Sequence, residues 1–202
     1  MISSKQQVLS KIYGYGRGWA FSKSDFIKSV ESNNIDKALS ILVKESKIRR
    51  IDRGMYDYPK YSELLQQNLS PDIDQVAQAY ARKFNWRIQV SGDAALNILG
   101  MSTQVPGRYI YLSDGPNRKY QILNTTLEFK KSALKEAGFK YPLSSLIVQA
   151  IKALGKNRII PDIIDEFRSK IDSKMNEKIL KDTASSTTWI YEVVKQICKG
   201  DS

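Results

Sequence analysis

Hydrophobic side chains in the first 60 positions recur every three to four residues, which predicts three short helices. Their apolar positions are Val8, Leu9 and Ile12 in the first, Phe26, Ile27 and Val30 in the second, and Ile35, Ala38, Leu39 and Leu42 in the third. The first is predicted to end at Tyr13 and Gly14, where a glycine-rich turn at 14–18 begins. A Ser-Lys-Ser-Asp capping box at 22–25 starts the second, and Asn34 is a suitable N-cap for the third.

A basic segment follows the third helix directly. Residues 47–51 and 55–59 are predicted to be two strands around the turn Asp52-Arg53-Gly54. Three short helices and a basic hairpin within residues 1–60 predict a winged helix-turn-helix domain. In that geometry the third helix lies in the major groove of DNA, and the hairpin, or wing, contacts backbone phosphates or the minor groove.

The predicted DNA-binding side chains are basic, or small and polar. Those on the third helix can contact base edges or phosphates, whereas the guanidinium groups of the wing match phosphate oxygens in shape and charge. The set is Arg17, Lys23, Asn33, Asn34, Lys37, Ser40, Lys44, Arg49, Arg50 and Arg53. Of these, Arg49, Arg50 and Arg53 belong to the wing, while Arg17 and Lys23 precede the third helix.

The polar segment 61–71 ends in Ser-Pro-Asp and is predicted to be a linker, because a residue before proline is driven out of helical conformation. The remainder, 72–202, is predicted to be an α+β domain with a helical tail. Its predicted helices are one through Val76, Ala77, Tyr80 and Phe84, then 94–99, 143–154, 163–171, 176–183 and 188–199. Its predicted strands are 87–90, 108–113, 118–123 and 127–130, with 108–113 and 118–123 forming a hairpin around the turn at 114–117.

The amino-acid composition excludes several kinds of catalytic and metal site. The 202 residues contain no histidine and one cysteine, Cys198, which excludes histidine-based catalysis, an internal disulfide and a cysteine-rich zinc site. The apolar neighbours of Cys198 on the last helix predict that it packs in the core. The formal net charge is +11, which favours a polyanionic partner or an acidic protein surface. Residues 1–60 carry 12 basic and 6 acidic side chains, so the positive excess is densest there.

No stretch of the chain is predicted to cross a membrane, since the longest nearly apolar run, 143–154, is too short. The amino terminus lacks the apolar run of a secretory signal, and we expect a cytoplasmic protein. The glycine-rich turn at 14–18 follows no predicted strand and lacks the Lys-Ser/Thr pair of a phosphate-binding loop. The sequence therefore predicts no cofactor and no metal site.

A second candidate surface lies on the predicted hairpin of the second domain. Tyrosine and arginine are enriched at protein interfaces, and basic side chains there suit an acidic partner. The candidate residues are Arg108, Tyr109, Tyr111, Arg118, Lys119 and Tyr120. The sequence thus predicts a protein-binding surface in addition to the DNA-binding one.

Short motifs occur in a definite order across about residues 10–160. They are Gly-Tyr-Gly-Arg-Gly-Trp at 14–19, Phe21, Asp25-Phe26, Ile-Arg-Arg at 48–50, Gly-Met-Tyr-Asp-Tyr-Pro at 54–59, Ser-Pro-Asp at 70–72, Ser91-Gly92, Gln-Val-Pro at 104–106, Tyr-Leu-Ser-Asp-Gly-Pro at 111–116 with Arg118, and Leu-Gly-Lys at 154–156. In this order they resemble the AbiEi-type antitoxin family of bacterial type IV toxin-antitoxin systems. The resemblance implies an amino-terminal DNA-binding domain that represses its own operon. It also implies a carboxyl-terminal domain that opposes a nucleotidyltransferase-like toxin.

The resemblance further implies a transcriptional regulator that is not an enzyme, in agreement with the missing histidine. Two alternatives from other classes also fit the residues. One is a stand-alone transcriptional regulator whose second domain binds a ligand or a protein. The other is a magnesium-dependent nucleic-acid enzyme that uses the carboxylates of Asp72 and Asp74. The same two carboxylates also suit a helix start, where they complement the macrodipole.

Overall fold

A computed structural model describes residues 3–102, 107–131 and 139–199. These residues form helices and several sheets, and the predicted α+β class is confirmed. The chain divides into two compact units. Unit 1 comprises the residues up to Arg87 together with Lys119–Leu127, and unit 2 comprises Ile88–Arg118 and the residues from Glu128 onward. The Gln-Val-Pro motif at 104–106 lies outside the described residues.

Unit 1 contains three α-helices, of which the first and third have side-chain N-caps. They are α1 (Ser4–Tyr15), α2 (Ser32–Lys44) and α3 (Ile73–Phe84). α1 continues past its predicted end because Gly16, with a φ of +84°, occupies the terminating position instead of Gly14. The Asp72 carboxylate caps α3 by accepting hydrogen bonds from the N–H groups of Asp74 and Gln75 at 3.0 and 3.2 Å. The interpretation of Asp72 as a helix-start carboxylate is confirmed.

Short strands of unit 1 form an antiparallel sheet and a separate two-stranded ribbon. The sheet consists of β1 (Ala20–Ser22), β2 (Arg49–Asp52) and β3 (Met55–Asp57) in the order β1-β3-β2, and the ribbon consists of β4 (Tyr61–Ser62) and β5 (Gln67–Asn68). Arg53 and Gly54 make the tight turn between β2 and β3, and Gly54 takes the φ of +68° that favours glycine. The register places Arg49 opposite Asp57.

The core of unit 1 is built from the predicted apolar faces. Its buried members include Val8 and Ile12 of α1, Phe21 of β1 and Phe26, which follows β1. The buried residues of α2 are Ile35, Ala38, Leu39 and Leu42. The helical spacing of the hydrophobic residues in the first and third predicted helices is thereby confirmed. The opposite side of α2 is left on the surface.

The second predicted helix differs from the structure. In its place lie a 3-10 turn, Lys23–Asp25, and hydrogen-bonded turns. The Asp25 carboxylate accepts from the Ser22 N–H at 2.8 Å, as the capping box predicts, but the N–H of Ser29 bonds to Phe26 O in an i→i+3 turn. Ile27 is exposed, so this segment has too short an apolar face to sustain a longer helix.

The boundary between the units falls after Arg87, later than the predicted linker at 61–71. The predicted linker forms the ribbon β4–β5, and α3 then packs against β1. Arg82 of α3 fixes this contact, since its guanidinium group donates to the Asp25 carboxylate at 2.7 Å and to Ala20 O at 2.8 Å. α3 is therefore part of unit 1.

The remaining elements lie close to their predicted positions. They are β6 (Ile88–Val90), α4 (Gly92–Ile98), β7 (Arg108–Ser113), β8 (Arg118–Ile122), β9 (Thr125–Lys131), α5 (Pro142–Leu154), α6 (Pro161–Lys170), α7 (Asn176–Asp182) and α8 (Thr188–Lys199). Within the described ranges, every helix is too short or too polar to span a bilayer.

One predicted pairing is wrong. β6, β7, β8 and β9 belong to a sheet in the order β6-β7-β9-β8, so β9 separates β7 from β8 and the two do not form a hairpin. The burial patterns explain this order. β9 buries Leu127 and Phe129 and takes a central place, whereas four of the five residues of β8 keep some solvent exposure and the strand takes the edge.

Candidate nucleic-acid interface

α2 presents a polar stripe to solvent. Asn33, Lys37, Ser40 and Lys44 are exposed on the side opposite the buried apolar face. In the part of the chain that the structure describes, these four side chains have no intramolecular hydrogen-bond or ion-pair partner. Because they lie three to four positions apart on one helix, they form a continuous surface.

An apolar side chain interrupts this polar stripe. Ile41 lies between Lys37 and Lys44 with 42% of its surface exposed. A shallow groove of about 430 Å³ runs beside it and is also lined by Asp36, Lys37 and Ser40. The stripe thus combines cations, a hydroxyl, an amide and a methyl-bearing surface, which are the groups that contact DNA phosphates and base edges.

The carboxylates of the first 60 residues are all engaged within unit 1. The pairs are Asp25 with Arg82, Glu31 with Asn34, Asp36 with Lys23, Glu45 with Lys5, Asp52 with Tyr80, and Asp57 with Arg49. Four of the six carboxylates are paired with cations, and the other two, Glu31 and Asp52, accept hydrogen bonds from neutral groups while the segment carries 12 basic side chains. The charge that unit 1 presents to solvent in this segment is predominantly positive.

Several cations of the same segment have no side-chain partner in the described ranges. They include Lys28, Lys37, Lys44, Lys47 and Arg53. Neither Lys28 nor Lys47 is among the DNA-binding residues that the sequence predicts. No sequence signal marks them, because Asp25 and Glu31, the acids nearest to Lys28, find their partners only in the folded structure.

α3 supports the turn of the β2–β3 hairpin. The hydroxyl of Tyr80 donates to the carboxylate of Asp52, and Lys83 Nζ lies 3.5 Å from Arg53 O. Burial, and then the hydrogen bond to the negative Asp52, raises the pKa of Tyr80 above its ordinary value, so the hydroxyl keeps its proton and remains a donor. These contacts hold the main chain of Arg53 while its side chain stays exposed.

Arg49 differs from the other two arginines of the hairpin. Its Nε and Nη2 donate to the two carboxylate oxygens of Asp57 at 3.0 and 2.6 Å, and Nη2 also donates to Leu69 O at 3.0 Å. Asp57 is buried, so the pair is partly shielded from solvent. Arg50 is exposed, and its Nε lies 3.4 Å from Asp52 O. Of the predicted wing arginines, Arg50 and Arg53 keep exposed guanidinium groups.

Other predicted DNA contacts also have intramolecular roles. The ammonium group of Lys23 pairs with Asp36, and the amide of Asn34 donates to Glu31 at 3.2 Å. Arg17 donates to Pro59 O at 2.9 Å and covers a tyrosine ring. These three side chains stabilise unit 1, which accounts for their positions without DNA.

Two tyrosines of the predicted protein interface are buried in the structure. Tyr111 is fully buried, and Tyr109 is buried with its hydroxyl donating to Asn97. This corrects the sequence-based expectation, since neither ring is available to a partner. Arg108 pairs with Glu128 at 3.5 Å.

The other members of that predicted surface lie at or near β8. Arg118 and Lys119 are exposed, and the ring of Tyr120 stacks on Tyr80 with 3.9 Å between centroids. In the described ranges, no group of three or more His, Cys, Asp or Glu side chains is placed to hold a metal ion. Cys198 is buried as predicted, and burial raises the pKa of its thiol to about 11.

Comparison with known proteins gives a family match and a distant structural neighbour. A family model described as "Family of unknown function (DUF6088)" matches residues 7–180. No curated protein matches the chain. Among solved structures, the chain is similar to the crystal structure of the Rv2827c protein from Mycobacterium tuberculosis, with 15% identity, a TM-score of 0.39 and coverage of 98% of this chain and 77% of that chain.

Proposed function

The chain belongs to the DUF6088 family, and we propose that its unit 1 binds double-stranded DNA as a winged helix. In this proposal α2 is the recognition helix and the β2–β3 hairpin is the wing. The observation that carries the proposal is the exposed polar stripe of α2, whose cations have no partner while the neighbouring carboxylates are engaged.

The order of elements supports this assignment. α1 is followed by β1, a single turn at Lys23–Asp25, α2 and then the hairpin, and the sheet order is β1-β3-β2. Such an arrangement leaves one face of α2 uncovered, which a helix needs in order to enter a groove about 12 Å wide. The wing is short, because its turn consists of Arg53 and Gly54.

The residues divide into two groups by their surroundings. Lys37, Lys44, Arg50 and Arg53 would neutralise phosphates, while Asn33 and Ser40 are suited to base edges. Arg17, Lys23, Asn34 and Arg49 would instead stabilise the fold of unit 1 through their contacts within it.

Replacement of both α2 lysines tests the proposal. We expect Lys37→Ala with Lys44→Ala to weaken binding to a duplex by roughly tenfold or more and to reduce the salt dependence of log affinity by about 2, since two phosphate contacts are lost. Fluorescence anisotropy with a labelled duplex at several salt concentrations measures both quantities. Lys199→Ala, an exposed lysine of α8 in unit 2, is the matched control. Equal affinities for the α2 variant and this control would contradict the proposal.

We further propose, from the resemblance to AbiEi-type antitoxins, that the protein represses its own operon and opposes a nucleotidyltransferase-like toxin through the residues after the DNA-binding module. Expression of the neighbouring reading frame should then arrest growth, and co-expression of this chain should restore it. Co-purification of the two proteins would indicate direct masking of the toxin, whereas rescue without co-purification would indicate an effect on its target. Growth arrest that persists on co-expression would reject the antitoxin assignment.

A further inference from the structure

An apolar projection follows the hairpin of unit 1. Residues 61–69, here called the arm, contain β4, β5 and the turn that joins them. Of the eleven large hydrophobic side chains that are exposed in the described residues, four belong to these nine positions: Tyr61, Leu64, Leu65 and Leu69. Leu64 is 93% exposed and Leu65 is 56% exposed at the tip. Single exposed leucines need no explanation, but such a local cluster indicates an interaction surface.

Local hydrogen bonds shape the arm. The N–H of Leu69 donates to Lys60 O at 2.8 Å at its base, and β4 and β5 pair in antiparallel register. At the tip, the N–H of Leu65 donates to Ser62 Oγ at 3.2 Å, and the hydroxyl of Tyr61 donates to Gln66 Oε1 at 3.1 Å. The tip leucines therefore stay exposed in an ordered turn.

Arg49 fastens the base of the arm to the rest of unit 1. Its guanidinium group bridges the buried Asp57 carboxylate of β3 and the carbonyl oxygen of Leu69. This bridge gives the arm a fixed direction, and it explains why Arg49 is turned away from the role predicted for a wing arginine.

The arm lacks the contacts that usually stabilise such a ribbon. In the described part of the chain, β4 and β5 pair only with each other. An isolated two-stranded ribbon is marginally stable in water, and unpaired strand edges favour pairing with another chain. The arm is therefore suited to association with a second surface.

The charge of the arm favours a second copy of this chain over a polyanionic partner. The arm contains one acidic residue, Glu63, and no Lys or Arg, so its net charge is −1. Because the whole chain carries +11, the remaining residues carry +12. A nucleic acid or an anionic membrane would gain no ion pair from the arm. Two copies of this basic chain, by contrast, repel each other least where their arms meet.

We propose that the arm is a self-association element that packs against the arm of a second copy of this chain. Leu64 and Leu65 of the two copies form the centre of a two-fold contact, and the adjacent strand edges face each other. Nine residues are fewer than the 20–30 a side of a standard interface, so the dimer is weak, with a Kd on the order of 10–100 µM. This inference goes beyond the proposed DNA binding and does not depend on it.

Sedimentation velocity of the full chain without DNA tests the inference. We expect the wild type to pass from monomer to dimer between about 1 and 300 µM. Leu64→Asp with Leu65→Asp should remain monomeric over the whole range, because buried carboxylates would face each other across the two-fold axis. Leu123→Asp, at a leucine that is 52% exposed in a turn outside the arm, is the matched control and should dimerise like the wild type. A wild type that stays monomeric, or equal association of both variants, would overturn the inference.

A cross-linking experiment locates the contact without disrupting it. Cys198 is buried and its pKa is raised to about 11, so a cysteine at the tip is the reactive thiol. Leu65→Cys should form a disulfide-linked dimer under mild oxidation at concentrations where the wild type self-associates, and Leu123→Cys should not. Absence of the Leu65→Cys dimer, or an equal yield from Leu123→Cys, would show that the tips do not meet.

Discussion

Glycine serves opposite purposes at two helix positions of this protein. At Gly92, the first residue of α4, a Cβ atom would lie 2.5 Å from Ala153 Cβ and 3.1 Å from Gln149 O of α5. At Gly14 of α1, nothing lies within 4 Å of a Cβ atom. The first glycine permits close packing of two helices, whereas the second only costs helix stability.

The same substitution should therefore have opposite effects at the two sites. Gly92→Ala is expected to lower the free energy of unfolding by about 1–3 kcal/mol through overpacking. Gly14→Ala is expected to leave it unchanged or raise it by up to about 1 kcal/mol. Urea denaturation followed by circular dichroism measures both values. A Gly92→Ala variant as stable as the wild type would disprove close packing of α4 on α5.

At the level of single residues, the sequence predicted which side chains are exposed better than it predicted which side chains form ion pairs or hydrogen bonds with each other. The helical period correctly placed Lys37 and Ser40 on the outer side of α2. It could not show that Arg49 lies opposite Asp57, because that pair depends on the register of β2 and β3. Tyr111 illustrates the same limit, since strand propensity favours tyrosine without determining which face of the strand is buried.

Two helices of unit 2 are joined by a carboxylate. The side chain of Asp182, at the end of α7, accepts hydrogen bonds from the N–H groups of Lys140 and Tyr141, just before α5, at 2.8 and 2.9 Å. Partial burial opposes ionisation, but these hydrogen bonds outweigh it and lower the pKa of Asp182 below its ordinary value. The ionised carboxylate thus stabilises the contact between the end of α7 and the start of α5.

Acid should weaken this contact. A lowered pKa in the folded state contributes stability above the unfolded-state pKa of about 3.9, and this contribution is lost as the pH falls through the folded-state value. We expect Asp182→Asn to lower the free energy of unfolding at pH 7 by about 1 kcal/mol for each hydrogen bond weakened, and to differ less from the wild type near pH 2. Chemical denaturation across this pH range measures the difference. Asp162→Asn, at an exposed aspartate of α6, is the control, and an identical pH profile for both variants would contradict the assignment.

At the level of elements, the ends of helices and strands were easier to predict than the pairing of the strands. Local signals such as turns, caps and apolar periods placed β7, β8 and the tail helices within a few residues of their positions. The turn at 114–117 favoured pairing of β7 with β8, but strand order depends on which strand buries more surface, and β9 does. The second predicted helix failed for a related reason, because Ile27 of its apolar set found no burial site.

For the whole molecule, the net charge indicates the kind of partner but not where on the protein such a partner would bind. A value of +11 favours anionic partners but does not identify the surface that binds them. The distribution of intramolecular partners in unit 1 indicates a candidate surface, since the carboxylates of the first 60 residues are engaged while Lys37 and Lys44 of α2 have no hydrogen-bond or ion-pair partner in the described ranges. The outer side of α2 thus carries two unpaired lysines, whereas the arm is apolar and carries a net charge of only −1.

The chain contributes to unit 1 twice, first up to Arg87 and again over Lys119–Leu127. The second passage supplies Tyr120, whose ring stacks on Tyr80, the residue that supports the hairpin turn through Asp52. A gene fragment that stops after Arg87 would encode every side chain proposed to meet DNA and still lack this stacking partner. A contiguous fragment that encodes all of unit 1 must therefore run to Leu127 and also encode residues 88–118 of unit 2.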